Sequence, residues 1–280
     1  MQKMPYHATL NIMQALEICL LEQYANYSAV LFADEGIVVD AETSSPLVPF
    51  ASTVKQLGLG LHSAYLDNST LVVKCYNTLT AEQIRKQGFL IHSAKDFLYQ
   101  SYQKPIQPLI LRAIHCLNWD TKLQYCSQCG AKIQKILNKT EKKCVACHLS
   151  FFPHFSPAIM VLIQRDHDIL LARSRHFETG MYSALAGFID LGETAEEAVH
   201  REVQEEVGLE ISDLKYFGTQ PWPFPDSFMI AFTANYLSGD LKIDPEEIED
   251  AQWFSLHHLP KLPSHASIAR ALIDSFILRA

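Results

Sequence analysis

Apolar and polar positions change rhythm along this chain, and each rhythm predicts a different architecture. Up to about residue 120, apolar runs at Ala29 to Phe32, Gly36 to Val39 and Leu71 to Cys75 read as strands, and Ala81 to Lys86 and Lys95 to Tyr102 read as helices. An α+β domain over residues 1–120 is expected, and it carries no catalytic motif. From Ala158 strands dominate. Ala158 to Ile163 and Ile169 to Ala172 flank Arg165-Asp166-His167-Asp168 as a hairpin, with further strands expected at Met181 to Ala186, Phe228 to Leu237 and Gln252 to Leu256. Thr194 to Val207 has the helical period instead: Ala195, Ala198, Val199, Val203 and Val207 form one buried stripe, and Gly208 ends it. A second helix is expected at Ile268 to Leu278. Strands on both sides of one helix, with another at the end, predict an α/β fold over residues 153–280, a mixed sheet between helices. Three prolines within Pro221-Trp222-Pro223-Phe224-Pro225 exclude an interior strand, so Thr219 to Ser227 is expected as an ordered loop presenting Trp222 and Phe224.

Residues 121–152 have a character of their own. Cys126-x2-Cys129 is followed after fourteen residues by Cys144-x2-Cys147, the spacing of two knuckles that set four thiolates around Zn²⁺. Four cysteines close the shell, so such a zinc is structural and His148 is not a ligand. Paired disulfides are the competing reading, suited to a secreted chain. Cys19, Cys75 and Cys116 have no ligand spacing and read as small buried apolar residues. Lys132, Lys135, Lys139, Lys142 and Lys143 lie in or beside the ribbon against one acid, Glu141; they read as solubilising surface first and as a nucleic-acid contact second.

Composition narrows the class. In 280 residues, 48% hydrophobic content is enough for real cores, and a formal charge of −8 argues against electrostatic wrapping of nucleic acid along the whole surface. No apolar run approaches the roughly 20 residues of a membrane helix, and Lys3 is not followed by a signal-type apolar core with a cleavage site. A cytoplasmic protein without membrane association is the expectation.

The chemistry concentrates on the helix. Glu202, Glu205 and Glu206 stand at i, i+3 and i+4, so their carboxylates emerge from one patch and repel unless a hard divalent cation sits among them. Mg²⁺ or Mn²⁺ fits that demand. Gly187, Glu193, Arg201, Glu202, Val203, Glu205, Glu206, Gly208 and Leu209 together match G-x5-E-x7-R-E-U-x-E-E-x-G-U, with U an aliphatic residue. This stretch resembles the Nudix hydrolase signature. Downstream, Gln220-Pro221-Trp222-Pro223-Phe224-Pro225-Asp226-Ser227 resembles the NADH pyrophosphatase branch of that family, which also carries a four-cysteine ribbon before its Nudix domain. The resemblance spans about Tyr125 to the end. It departs at Thr219, where Ser is usual, and at Phe152 in Phe151-Phe152-Pro153-His154, where relatives commonly show Tyr-Pro followed by Arg.

The resemblance implies a Nudix α/β/α sandwich preceded by a zinc ribbon and an N-terminal domain. It further implies Glu202, Glu205, Glu206 and Glu247 at the metals, with one of them taking the proton of the attacking water. Glu193 and Arg201 brace the helix, and Ser227, Met229 and Ala269 line the nucleotide pocket. Beside what the resemblance implies, Gln220 and Trp222 of the proline-rich stretch and Phe152, at the position that departs from the family, are expected substrate contacts, and Phe188 is an aromatic available to stack on a nicotinamide or purine ring, with ordinary core as its alternative. Two subunits are expected to complete each site as a homodimer. The expected reaction is hydrolysis of NADH or NAD to nicotinamide mononucleotide and AMP, with NAD-capped RNA as a further substrate. The alternatives are a Nudix hydrolase of another nucleoside diphosphate, such as ADP-ribose or a dinucleoside polyphosphate, and a nucleotide-sensing module that binds RNA or protein.

Overall fold

The computed structural model describes residues 21–33, 36–67, 70–76, 79–100, 105–135 and 140–278; Cys19 and Lys139 lie outside them. The chain divides into two compact units, Met1–Gln100 with Ile106–Pro153, and Ser101–Pro105 with His154–Ala280.

The first unit contains β1 (Ser28–Ala33), β2 (Gly36–Asp40), β3 (Val48–Pro49), α1 (Phe50–Leu57), β4 (Gly60–Asp67), β5 (Thr70–Tyr76), α2 (Ala81–Lys86), β6 (Phe89–His92), α3 (Ala94–Gln100) and α4 (Gln107–Lys122). Its sheet runs β4-β5-β1-β2-β6, with β3 on β1 and only the β1/β5 pair parallel among these pairings. Leu31, Val38, Val73, Phe50, Leu57 and Ile84 fill one core. Cys75 and Cys116 are buried and not disulfide-bonded, in keeping with the small apolar role their isolation in sequence implies. Helix α4 is absent from the periodicity reading for a physical reason. Ile110, Leu111, Ala113, Ile114, Cys116, Leu117 and Trp119 bury several of its faces, so the one-sided stripe disappears. Three short antiparallel strands, β7 (Ile133–Lys135), β8 (Lys142–Cys144) and β9 (Ser150–Phe151), form the ribbon.

The second unit contains β10 (Ser156–Arg165), β11 (Asp168–Ser174), β12 (Leu185–Phe188), α5 (Ala195–Val207), β13 (Glu210–Trp222), β14 (Ser227–Ser238), β15 (Ile248–Ser255) and α6 (Ile268–Ile277). Its sheet is mixed, ordered β13-β14-β10-β11-β15, with β12 also on β10 and β10 parallel to β14. Helix α5 packs on one face through Ala198, Val199, Val203 and Val207 with Ile159, Val161 and Leu185. On the other face, α6 packs through Leu272 and Ile273 with Met160, Leu162 and Ala231. Two expectations need correction. Met181 and Ser183 make only isolated bridges, to Lys261 and Ala172, and the strand begins at Leu185 because β12 pairs with only part of β10. Thr219 to Trp222 are strand rather than loop: β13 is an edge, so Pro221 removes no hydrogen bond that a neighbour on its outer side needs. The loop proper is the turn that returns the chain to Ser227.

Candidate active site and metal centres

Helix α5 is held at both ends by its own sequence. Thr194 and Glu197 form a capping box: the Thr194 hydroxyl accepts from the Glu197 N–H at 3.2 Å, and the Glu197 carboxylate accepts from the Thr194 N–H at 2.8 Å. At the other end Gly208 turns left-handed at φ 69°. The last carbonyls then organise the next segment, because Val207 O accepts from Lys242 N–H at 3.0 Å and Glu206 O from Asp244 N–H at 2.9 Å. That tether brings Glu247 to the helix. Oxygens of Glu202, Glu206 and Glu247 lie within 4.8 Å of one another.

Glu205 is not in that cluster. Its carboxylate accepts from Arg201 Nη1 at 3.0 Å and is solvent-exposed. Arg201 is the brace of the region: Nε donates to Glu193 Oε1 at 2.6 Å, Nη1 to Glu202 Oε1 at 2.9 Å, and Nη2 to Glu193 Oε2 and to the Phe188 carbonyl, both at 2.9 Å. Glu193 also accepts from the Asp190 N–H, and hydrogen bonding to Arg201 holds its carboxyl down at about 2. The loop and the helix are therefore joined through one guanidinium.

Gly187 explains how Glu202 fits. A Cβ at this position would overlap the Glu202 carboxylate, so β12 comes close to α5 only because position 187 has no side chain. Glu202 is 7% exposed and Glu206 4%. Burial raises both carboxyls; for Glu206 the neighbouring Glu202 and Glu247 add to it and push the group up to about 8. Glu206 Oε2 is buried with no hydrogen-bond partner among the described residues. Converging carboxylates with an unsatisfied buried oxygen are a donor set suited to a hard divalent cation.

A pH dependence follows. An unfolded glutamate ionises near 4.5, whereas folded Glu206 keeps its proton up to about 8, so the folded chain binds the extra proton between those values. Stability therefore falls as pH rises through this window and levels off above it. In buffer without added Mg²⁺ or Mn²⁺, the thermal midpoint should decline from pH 5 to 8 more steeply for the wild type than for Glu206→Gln. Parallel profiles for the two proteins would contradict the assignment.

The opposite face of the same sheet gathers most of the residues expected at the substrate. Phe188 stands across from Ala158, Ala158 beside Met229, and Met229 across from Gln220. Trp222, Ser227 and Ser156 form the next row on that face, two residues along each strand. Ala269, in the first turn of α6, packs in the same core as Met229. Phe188 is 54% exposed, Trp222 packs edge-on against Phe224 at 5.4 Å, and Met229, Ser227 and Ala269 are buried. Phe152 belongs to the first unit and is exposed.

In the ribbon, the sulfurs of Cys126 and Cys147 are 3.6 Å apart and those of Cys129 and Cys144 3.4 Å, and all four thiols are free. A disulfide needs about 2.05 Å. A tetrahedron with bonds of about 2.3 Å to Zn²⁺ puts its sulfurs roughly 3.8 Å apart, much closer to what is seen. The four cysteines form a group able to hold a metal. Cys144 accepts from the N–H groups of Cys147 and Ala146, and these bonds hold its thiol down at about 6, whereas burial and the crowding of the other thiols push Cys147 up to about 12, so without a cation the four sulfurs do not all ionise together.

The described lysines of the ribbon do not form one surface. Lys142 is 3% exposed, and its ammonium donates to Asp120 Oδ1 and Asp120 O at 2.8 Å and to Leu123 O at 2.6 Å, while lying 5.1 Å from the Trp119 ring centroid. All three N–H bonds are used, and two of them cap the C-terminal end of α4. Lys135 donates to Ala64 O at 2.8 Å, and burial lowers it to about 8. Only Lys132 and Lys143, among the described lysines of this group, remain exposed. Lys142→Ala removes a buried, directly hydrogen-bonded cation from buried Asp120 and should cost up to about 3 to 5 kcal/mol in chemical denaturation, with Asp120→Asn/Lys142→Met recovering part of it. A loss below about 1 kcal/mol for Lys142→Ala would overturn this account of the pair.

The NUDIX domain profile matches residues 154–276. The chain is 48% identical over 161 residues to the NAD-capped RNA hydrolase NudC of Pseudomonas putida (strain GB-1), the alignment covering 58% of each. It is 47% identical over 161 residues to the protein of the same name from Pseudomonas aeruginosa (strain LESB58), again over 58% of each. The chain thus spans 58% of the length of these curated relatives. Among solved structures, a NUDIX hydrolase from Nitrosomonas europaea aligns with a TM-score of 0.47 and 18% identity, over 56% of this chain and 91% of that one.

Proposed function

We propose, for a chain whose residues 154–276 match the NUDIX domain, hydrolysis of the pyrophosphate of NADH or NAD to nicotinamide mononucleotide and AMP, with removal of NAD caps from RNA 5′ ends as a second use of the same site. The observation that carries the reading is the orphaned buried oxygen of Glu206 within the Glu202, Glu206 and Glu247 cluster. Phe188, an exposed aromatic one residue beyond Gly187, is on the other face of the sheet, and its carbonyl accepts from the same Arg201 that holds Glu202. The names of the two Pseudomonas relatives support the substrate class.

Glu202, Glu206 and Glu247 would hold Mg²⁺ or Mn²⁺, with Glu205 as an outer carboxylate on the same helix patch. When bound, the cation neutralises pyrophosphate charge and makes water a better nucleophile. The chain's own residues do the rest. Arg201 orients Glu202 and Glu205 and ties them to the Phe188 carbonyl, so metal ligands and ring-binding surface keep a common frame. One of Glu202, Glu205, Glu206 and Glu247 accepts the proton of the attacking water. Phe188 offers a ring face to the base or the nicotinamide.

Cys126, Cys129, Cys144 and Cys147 are assigned one structural Zn²⁺, checked by a metal count of one zinc per chain. We further propose three functional parts, residues 1–120, 121–152 and 153–280, and a cytoplasmic homodimer in which Phe152 and Trp222 join the substrate contacts. Among the described residues no helix is long and apolar enough to cross a membrane. The deciding experiment is a substrate panel of NADH, NAD, ADP-ribose, dinucleoside polyphosphates and NAD-capped RNA at fixed Mn²⁺ with product identification. Nicotinamide mononucleotide and AMP from NADH support the proposal, and a strong preference for ADP-ribose would replace it.

Capped RNA and free dinucleotide share the pyrophosphate, so a difference between them must arise from contacts further along the RNA. Of the five lysines between Cys129 and Cys144, Lys132 and Lys143 are the exposed ones among the described residues and are the candidates for that. Replacing both with Gln should lower the rate on capped RNA and flatten its log-salt dependence by about 2, since each phosphate contact contributes a slope near 0.7 to 0.9, while NADH hydrolysis is spared. Equal effects on both substrates would return these lysines to a solubilising role.

A further inference from the structure

At its far end, the row that begins with Phe188 and passes through Ala158 and Met229 reaches Gln220, next to the first turn of α6. Gln220 commits both ends of its side-chain amide there. Nε2 donates to the Ala266 carbonyl at 2.8 Å, and Oε1 accepts from the Ile268 N–H at 2.7 Å. The Ile268 N–H is one of the donors that a helix start leaves without an intrahelical partner. Helix α6 does not depend on Gln220 to begin, because Ser267 already caps it by accepting from the Arg270 N–H. What the amide adds is location: it pins the start of α6, and with it buried Ala269, to the strand position paired with Met229.

We infer that Gln220 is a positioning residue, holding the α6 end of the ring-bearing surface that starts at Phe188 rather than touching the nucleotide. The inference rests on the proposed dinucleotide reading and assigns Gln220 a different part in it from direct substrate contact. If the clamp is lost, α6 shifts relative to β14 and the nucleoside loses its fit, while the carboxylate cluster on the opposite face stays in place. Binding should therefore suffer more than turnover.

The test compares Gln220→Glu and Gln220→Met in the full chain. It reads kcat and KM for NADH, AMP affinity by calorimetry, and the thermal midpoint. Glutamate keeps the acceptor for Ile268 N–H and loses the donor to Ala266; methionine keeps the shape and neither bond. KM and the AMP Kd should rise in the order wild type, Glu, Met, reaching roughly tenfold for Met, with a smaller change in kcat. If Gln220 touched the nucleotide directly, the Glu variant would repel its phosphates and bind worse than Met, and that order would overturn the inference. So would a lowered thermal midpoint with KM and AMP affinity unmoved. If the wild type does not hydrolyse NADH, the dinucleotide reading falls separately. AMP affinity still decides Gln220, and absent or unchanged AMP binding overturns its positioning role.

Discussion

Glu206→Gln is expected to lower turnover by on the order of 10² or more at saturating Mn²⁺ while leaving folding and zinc content unchanged. The substitution is nearly isosteric, so the buried site loses little packing. What changes is the oxygen without a protein partner: an anionic donor facing Glu202 and Glu247 becomes a neutral amide. A lost cation ligand should also appear as a weaker dependence of rate on Mn²⁺ concentration, which separates it from simple misfolding. The stability change has the opposite sign. Because burial and like-charge neighbours raise the Glu206 carboxyl to about 8, its ionisation opposes folding, and the Gln variant should be as stable as the wild type or more so at pH 8 without added metal. Near-wild-type turnover would remove this carboxylate cluster from the chemistry.

Gly187→Ala is expected to be nearly as damaging, through a methyl group with no chemistry of its own. Its Cβ would occupy the volume of the Glu202 carboxylate, which is buried and bonded to Arg201. The carboxylate is the end of a flexible side chain, so it moves before the strand does. The fold should survive while Glu202 leaves the cluster. A displacement of about 1 Å in a preorganised site can cost on the order of 10² in rate. The expected signature is a large fall in kcat, a raised Mn²⁺ requirement, and a thermal midpoint within a few degrees of wild type. Wild-type Mn²⁺ dependence would mean that the close approach of β12 to α5 does not set the position of Glu202. Activity and metal titration on the same preparation distinguish the outcomes.

Helix α5 was legible because everything that defines it lies within a few turns of chain. Its apolar stripe, capping pair, terminal glycine and the spacing of Glu202, Glu205 and Glu206 are local features. Strand β13 was not. Its pairing with β14 shifts register at three places, between Glu210 and Ile211, Ser212 and Lys215, and Tyr216 and Gly218, which breaks the alternation that marks a strand. Pro221 then argued for a loop at a position where an edge strand tolerates it. Lys142 was misread for a related reason: a lysine among lysines looks solvent-exposed until α4 and Asp120 are seen around it.

The sequence by itself determined the elements whose signal is short-range: the carboxylate helix, the β10–β11 hairpin, the cysteine knuckles and the closing helix. Only the tertiary structure decided which carboxylates meet. Glu205 is adjacent to Glu206 in the chain yet stays exposed outside the cluster, while Glu247 enters it from a distant loop tethered to the end of α5. It likewise placed Phe188, Met229 and Gln220 in one row and engaged both ends of the Gln220 amide at the start of α6. The physical reason is range. Periodicity and capping depend on residues within a turn of one another, whereas ion pairing, strand register and burial depend on segments that become neighbours only when the chain folds.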